Sequence, residues 1–211
     1  MADDDLELRI AWEQHLGRSS ASTTWFESVV SRYRQPARRY HGTRHVRWVV
    51  RHVTDLAAAA DDLGAVIAAA FFHDVVYDPT RGDNEMASAE LADRALTELG
   101  WESERRRHVS ELVLATIDHD VDSDGCGSDT QVLLAADLAV LAAEPAKYSD
   151  YVRGVRGEYA HIDDEAWRTG RSAVLRALLG RRHLFAQALD LNEWEQRARA
   201  NISAELAMLD R

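Results

Sequence analysis

Four side chains stand out for the chemistry they could do together: His45, the adjacent pair His73 and Asp74, and Asp137. Each interrupts an apolar stretch. His73-Asp74 falls in GAVIAAAFFHDVVY, His45 in RHVRWVV and Asp137 in LLAADLAVL. A polar group buried in such surroundings without compensation costs several kcal/mol, so a buried Asp is usually paired or bound to a cation. Neighbours on a helix point about 100° apart, yet a long imidazole and a short carboxylate can converge on one ion above the helix. Two imidazoles and two carboxylates suit a borderline divalent ion, Mn, Fe, Co, Ni or Zn, or Mg with more water in its shell. Alone, a helical His is more often a packed histidine, and a lone Asp more often binds a backbone amide or an Arg. Four such residues, all in apolar helices, are harder to obtain by accident.

The elements that must position these residues read as helices. Helical spacing of apolar residues marks 6–17, 22–34, 43–60, 64–77, 84–99, 103–118, 130–143, 146–162, 165–180 and 193–209. Ser22, Thr23 or Thr24 could cap the second helix and Thr43 the third. The segment 64–77 is apolar on nearly every side, so that helix is expected to be buried and to carry His73 and Asp74 within it. Residues 78–83 form a turn and 119–129 the clearest loop. With 11 Gly and 3 Pro in 211 residues, a turn-rich β-protein is excluded. The expected fold class is all-α: one compact bundle of eight to ten helices over 1–211, with a buried metal site.

Other chemistries are disfavoured. GxGxxG, GxxxxGK[ST], GxSxG and HExxH are absent. HGTRH (41–45) has zinc-peptidase spacing but places Gly42 where that mechanism needs its glutamate. Asp120, Asp122, Asp124 and Gly125 match the start of an EF-hand loop, but its twelfth position is Gln131, an amide where the bidentate Glu belongs. That segment therefore reads as a solvated acidic loop. The chain has 25 Lys+Arg against 36 Asp+Glu, a net charge of −11. That balance argues against long nucleic acids and anionic membrane surfaces as partners. Cys126 is the single cysteine, so no intrachain disulfide or Cys-based zinc knuckle can form. This fits a reducing cytoplasm. No basic n-region followed by an apolar h-region opens the chain, and no run of about 18 apolar residues suggests a transmembrane span.

The order H…HD…D on helices resembles the HD-domain superfamily of metal-dependent phosphohydrolases. The likeness extends to YHGTRH (40–45), FFHDVVYDP (71–79), DNEMASAELA (83–92), ATIDH (115–119), DLAVLA (137–142), YVRGVRGEYAH (151–161) and GRSAVL (170–175). These segments look like one bacterial subgroup of predicted HD phosphohydrolases, over about residues 25–185. The resemblance implies an HD-type helical bundle with His45, His73, Asp74 and Asp137 as metal ligands. It implies hydrolysis of a small phosphorylated metabolite, a nucleotide above all, since single-metal members act on phosphomonoesters. Di-metal members carry extra histidines between the dyad and the last Asp. Here His108 and His119 lie in that interval, and only His119 sits in a matching segment. One tightly held ion is therefore expected, with room for a second, weaker one near His119 and Glu85. Two other classes share the scaffold: a di-iron oxygenase, which needs more bridging histidines, and a non-catalytic nucleotide-binding module.

Within this reading Asp74 is both ligand and catalytic group, and His119 belongs to the catalytic set. Asp78, Asp83 and Glu85, just past the dyad, are candidates for general acid–base work. Glu85 is preferred among them, Asp83 reads better as the cap of the next helix, and Asp78 is assigned to substrate. A phosphate also needs a positive clamp, for which Arg156, Arg153 and Arg44 are candidates, Arg being suited to bidentate contacts. His41, one turn before His45, could touch substrate or orient a ligand. His15, His52 and His183 read as structural. The six tryptophans call for no special role, Trp12, Trp25 and Trp48 reading as core-facing. A homodimer is left open.

Overall fold

A computed structural model describes residues 3–123 and 126–211, and every regular element in them is helical. In chain order these are α1 (Asp3–His15), α2 (Ser20–Tyr33), α3 (Thr43–Asp55), α4 (Leu63–Phe72), α5 (Asn84–Glu98), α6 (Ser103–Ala115), α7 (Ser128–Leu138), α8 (Pro145–Glu158), α9 (Asp164–Gly180) and α10 (Asn192–Leu209). Short 3-10 turns cover Ala57–Ala59, Ala139–Ala142 and Gln187–Leu189. Ten α-helices lie among the described residues, at the positions the apolar spacing predicts, with differences at their ends. None is long and apolar enough to cross a membrane.

The caps explain several of those differences. Ser19, not Ser22, opens α2: its side chain accepts the Ser22 amide at 3.1 Å. Ser22 instead accepts the Trp12 indole N–H at 2.8 Å and donates to the Gly17 carbonyl at 2.6 Å, which locks α1 against α2. Gly42 caps α3 in place of Thr43. Asp62 caps α4 through the Ala65 amide and is itself held by Arg105 at 2.6 Å.

α4 is the central helix. Every residue from Ala65 to Phe72 is fully shielded from water. It is wrapped by Leu8 and Trp12 of α1, Phe26 and Val30 of α2, Val46, Val49 and Val53 of α3, and Leu112 and Val113 of α6. The Trp12 ring meets Phe71 edge-on at 5.1 Å, a geometry worth about 0.5–1.5 kcal/mol beyond area burial. A second apolar cluster joins Leu141, Tyr148, Leu175, Leu184, Phe185 and Ile202. His45, His73 and Asp137 line one pocket together with Val140, Leu141 and Tyr151, which belong to or pack against this second cluster.

Candidate metal centre

The end of α4 places the dyad. Apolar spacing predicts a helix through residue 77, but α4 stops at Phe72, with His73 as its C-cap and Asp74 beyond it. The reason is long-range. Tyr33 Oη donates to the Phe71 carbonyl at 3.0 Å, and Arg38 donates to the carbonyls of Asp74 (2.6 Å) and Val75 (3.0 Å). Carbonyls that helix continuation would otherwise satisfy are thus taken by side chains. The His73 Nδ1 lies 2.9 Å from the Ala70 carbonyl. A carbonyl only accepts, so Nδ1 carries the proton and the Nε2 lone pair points into the pocket.

The donor atoms converge. His45 Nε2 and His73 Nε2 lie 2.9 Å apart. Asp74 Oδ2 is 3.4 Å from the first and 3.2 Å from the second. Asp137 Oδ1 is 3.2 and 3.6 Å from the same two nitrogens. Donor atoms of His45, His73 and Asp74 all lie within 4.8 Å of one another, and this group could hold a metal ion. The spacing fits that use: bonds of about 2.1 Å place adjacent donors roughly 3.0–3.4 Å apart in octahedral or tetrahedral arrangements. The chemistry fits as well, since two imidazole nitrogens and two carboxylate oxygens are a donor set suited to a borderline divalent ion. His45 and His73 are 3% and 1% exposed, so bulk water does little to screen the cluster.

Without a cation, protons hold the cluster together. Burial on its own lowers the His45 imidazole, but hydrogen bonds to Asp137 and Asp74 outweigh it and hold the group up at about 9. Burial and the charges of Asp74 and Asp137 oppose each other at His73 in the same way, and the net is again upward. Burial raises both carboxylates, yet the facing imidazoles hold Asp74 and Asp137 well below the usual carboxylate range. His119 extends the cluster: its Nε2 is 2.7 Å from Asp137 Oδ2. Its backbone is left-handed, with φ of 49°, a conformation costing a non-glycine residue about 1–3 kcal/mol. Arg181 holds that turn by donating to the carbonyls of Asp118 and His119.

Glu158 is the important residue that sequence reading missed. It sits in a segment that looks like a charged surface, yet its side chain is 1% exposed. One carboxylate oxygen accepts the amides of Tyr40 (2.7 Å) and His41 (2.9 Å); the other meets His41 Nδ1 (2.6 Å) and the Tyr77 hydroxyl (2.9 Å). The His41 ring is also stacked on Tyr77 at 4.3 Å. His41 is thereby fixed at the pocket wall with its Nδ1 occupied. Gly154 lets α8 come this close: a Cβ there would lie 3.0 Å from Tyr40 Cβ. Glu158→Gln keeps the shape but removes the charge facing His41. It is expected to lower the turnover proposed below about 10- to 100-fold with little change in helical content. A double variant with His41→Ala should be no worse than His41→Ala alone, and additive losses would show that Glu158 acts elsewhere.

The pocket has a volume of about 260 Å³ and is lined by His41, Glu85, His119, Tyr159 and Arg171 besides the four cluster residues. Glu85 reaches it from the first turn of α5. Arg44 borders a neighbouring cleft. Asp78 and Arg156 do not line the pocket. The Asp78 carboxylate accepts from Thr80 and closes a turn. Arg156 donates to the Tyr159 carbonyl and to Asp164, tying the end of α8 to α9. Arg153 pairs with Asp150. Asp83 occupies the cap position of α5 without a side-chain cap bond and binds Arg81 instead. His108 meets Asp129 at 2.8 Å, and Asp129 also receives the Asp61 amide, a structural tie. Trp48 is half-buried and borders the Arg44 cleft, unlike the fully buried Trp12. In the acidic loop, Asp122 pairs with His183, while Asp124 and Gly125 lie outside the described residues. In comparisons with known proteins, no family model, no curated protein and no solved structure matches the chain.

Proposed function

We propose that this chain is a metal-dependent phosphohydrolase of the HD type, acting on a small phosphorylated metabolite such as a nucleotide. The observation that carries the reading is the convergence of two imidazole nitrogens and two carboxylate oxygens in a pocket open to a ligand. His45, His73, Asp74 and Asp137 are the proposed ligands. When bound, a divalent cation lowers the pKa of a water ligand and polarises a phosphoryl oxygen. His73 holds its lone pair toward the site through Ala70. His119 fixes the second oxygen of Asp137. Glu85 and His41 line the pocket as titratable side chains from two directions, the arrangement that proton transfer to and from a reacting phosphate requires. Arg171, paired with Glu205, lines the wall.

Among the described residues one metal-competent group is found, and His108 is tied to Asp129 away from it. That favours one tightly held ion over a di-iron oxygenase, which needs a second full set. A cytoplasmic setting belongs to the same reading and rests on the unpaired Cys126. The test is metal analysis of the purified protein together with a metal-supplemented screen of phosphorylated metabolites. Phosphate release with Mn, Ni or a related ion supports the proposal. Two irons per chain with oxygen consumption, or a stable nucleotide complex without turnover, would replace it.

Metal and protons compete for the same nitrogens. With His45 held up at about 9, the metal-free site is protonated across neutral pH. Apparent metal affinity is therefore expected to rise with pH, by up to about tenfold per unit for each proton displaced, and to level off near pH 9. Calorimetric titration between pH 6.5 and 9.5 reads this directly. A flat profile would show that His45 is not displaced.

A further inference from the structure

α3 has a second face. His45, Val46, Val49, Val50 and Val53 are buried, while Arg44, Arg47, Trp48 and Arg51 recur at helical spacing along a cleft of about 480 Å³. Arg39 and, from α8, Lys147 complete its cationic wall. The lining thus carries five cationic side chains against one carboxylate, Asp150, in a chain whose net charge is −11. Asp150 pairs with Arg153. Glu7 of α1 reaches Arg51 at 3.1 Å and Arg47 at 3.9 Å from one carboxylate. Lys147 rests over the Trp48 ring at 3.5 Å. Burial lowers its pKa, and the charges of Arg51 and Arg47 lower it further against the opposing charge of Asp150. The cleft shares Tyr40, His45, Val140 and Tyr151 with the metal-site pocket. From Arg44 to Arg51 it follows α3 for two turns, about 10 Å of axis, longer than one phosphate needs.

We propose that this cleft is an oligophosphate subsite, so that the ligand carries two or more linked phosphoryl groups, with one end at the His45 side and the chain lying along Arg44, Arg47 and Lys147. Which end reacts rests on the proposed hydrolase function; binding of the anion does not. The linear oligophosphate is the recognised chemistry, whether free or as the tail of a nucleotide. Guanidinium groups bind it through charge-assisted, bidentate hydrogen bonds. Arg44 and Lys147 are both exposed, so they can be replaced without disturbing the core.

The test is titration of the full chain in chelator, following binding by calorimetry with inorganic triphosphate, inorganic phosphate, a nucleoside monophosphate and a nucleoside triphosphate. Triphosphate is expected to bind at least about tenfold tighter than phosphate and to weaken with salt. Arg44→Glu and Lys147→Glu should each weaken it about tenfold or more. Arg176→Glu, whose exposed pair with Asp210 joins α9 to α10, changes the net charge equally and should leave binding unchanged. Asp74→Ala should retain triphosphate binding. A nucleoside triphosphate that binds tighter than inorganic triphosphate identifies a nucleotide tail; equal binding identifies the free anion. The proposal is overturned if triphosphate binds no better than phosphate, if Arg44→Glu and Lys147→Glu bind normally, or if Arg176→Glu weakens binding as much. It also falls if a single-stranded oligonucleotide outcompetes triphosphate. Triphosphate binding with no hydrolysis under any metal leaves the subsite standing and removes the hydrolase reading. Monophosphate hydrolysis without triphosphate binding does the reverse.

Discussion

Asp74→Ala is expected to leave the purified protein without retained metal and to lower phosphate release by more than about 100-fold, the upper end of what losing an outer-shell partner costs. Asp74 supplies the oxygen closest to His73 Nε2 in the cluster, at 3.2 Å, and one of its two negative charges. Its removal leaves Asp137 alone to offset a divalent cation, and no other carboxylate stands at ligand distance from both imidazoles among the described residues. The fold is expected to survive. The Asp74 carbonyl, not its side chain, ties the local backbone to Arg38, and α4 ends before this position. Asp74→Asn separates charge from shape: it preserves the volume but supplies no anion, and should be as inactive as the alanine variant. Metal content by mass spectrometry after desalting, phosphate release and far-ultraviolet circular dichroism together check the outcome. Full activity in either variant would sink the assignment.

The four proposed ligands were legible in the sequence because a polar residue inside an apolar helical run is conspicuous, and folding brings all four within 3.6 Å of a partner in the cluster. The all-helical class was legible from periodicity and from the scarcity of Gly and Pro. The end of α4 was not. Residues 73–77 continue the apolar pattern, and what stops the helix is Tyr33 and Arg38, more than 30 positions earlier in the chain. Glu158 was hidden for a related reason: its partners are Tyr40, His41 and Tyr77. A signal existed, since Glu158 lies three residues after buried Val155 on the same helical face. A charge on an apolar stripe is more informative than a charge beside a motif. Asp78 and Arg156 illustrate the second case. Their closeness to conspicuous segments suggested a substrate role, while short-range turns and caps use their side chains instead.

The same reasoning identifies the residue pair with the largest expected effect on stability. Arg171 falls four residues from buried Trp167 and four from buried Leu175, and Glu205 lies three after buried Ile202, so both charges sit on core-facing stripes. They meet in a two-point ion pair at 2.8 and 3.1 Å, with side chains 8% and 2% exposed. The Tyr148 hydroxyl donates to the same carboxylate. Burial pushes the Tyr148 phenol up, and the Glu205 hydrogen bond and charge push it further. Glu205→Gln leaves a buried guanidinium without its counter-charge. Removing one partner of a buried pair costs about 3–5 kcal/mol, and in a chain of this size each kcal/mol shifts Tm by about 2–4 °C. A drop in Tm of roughly 10 °C is therefore expected by calorimetry or thermal circular dichroism. The double change Arg171→Met with Glu205→Leu should recover most of it, because it removes both desolvated charges and keeps apolar volume. If the single variant melts like the unmodified chain, water reaches the pair and the burial argument fails. If the double variant is as unstable as the single, loss of the Tyr148 hydrogen bond, not the stranded charge, dominates. Since Arg171 also lines the pocket of the proposed metal ligands, a stable double variant with impaired phosphate release would assign the guanidinium to the site as well as to the fold.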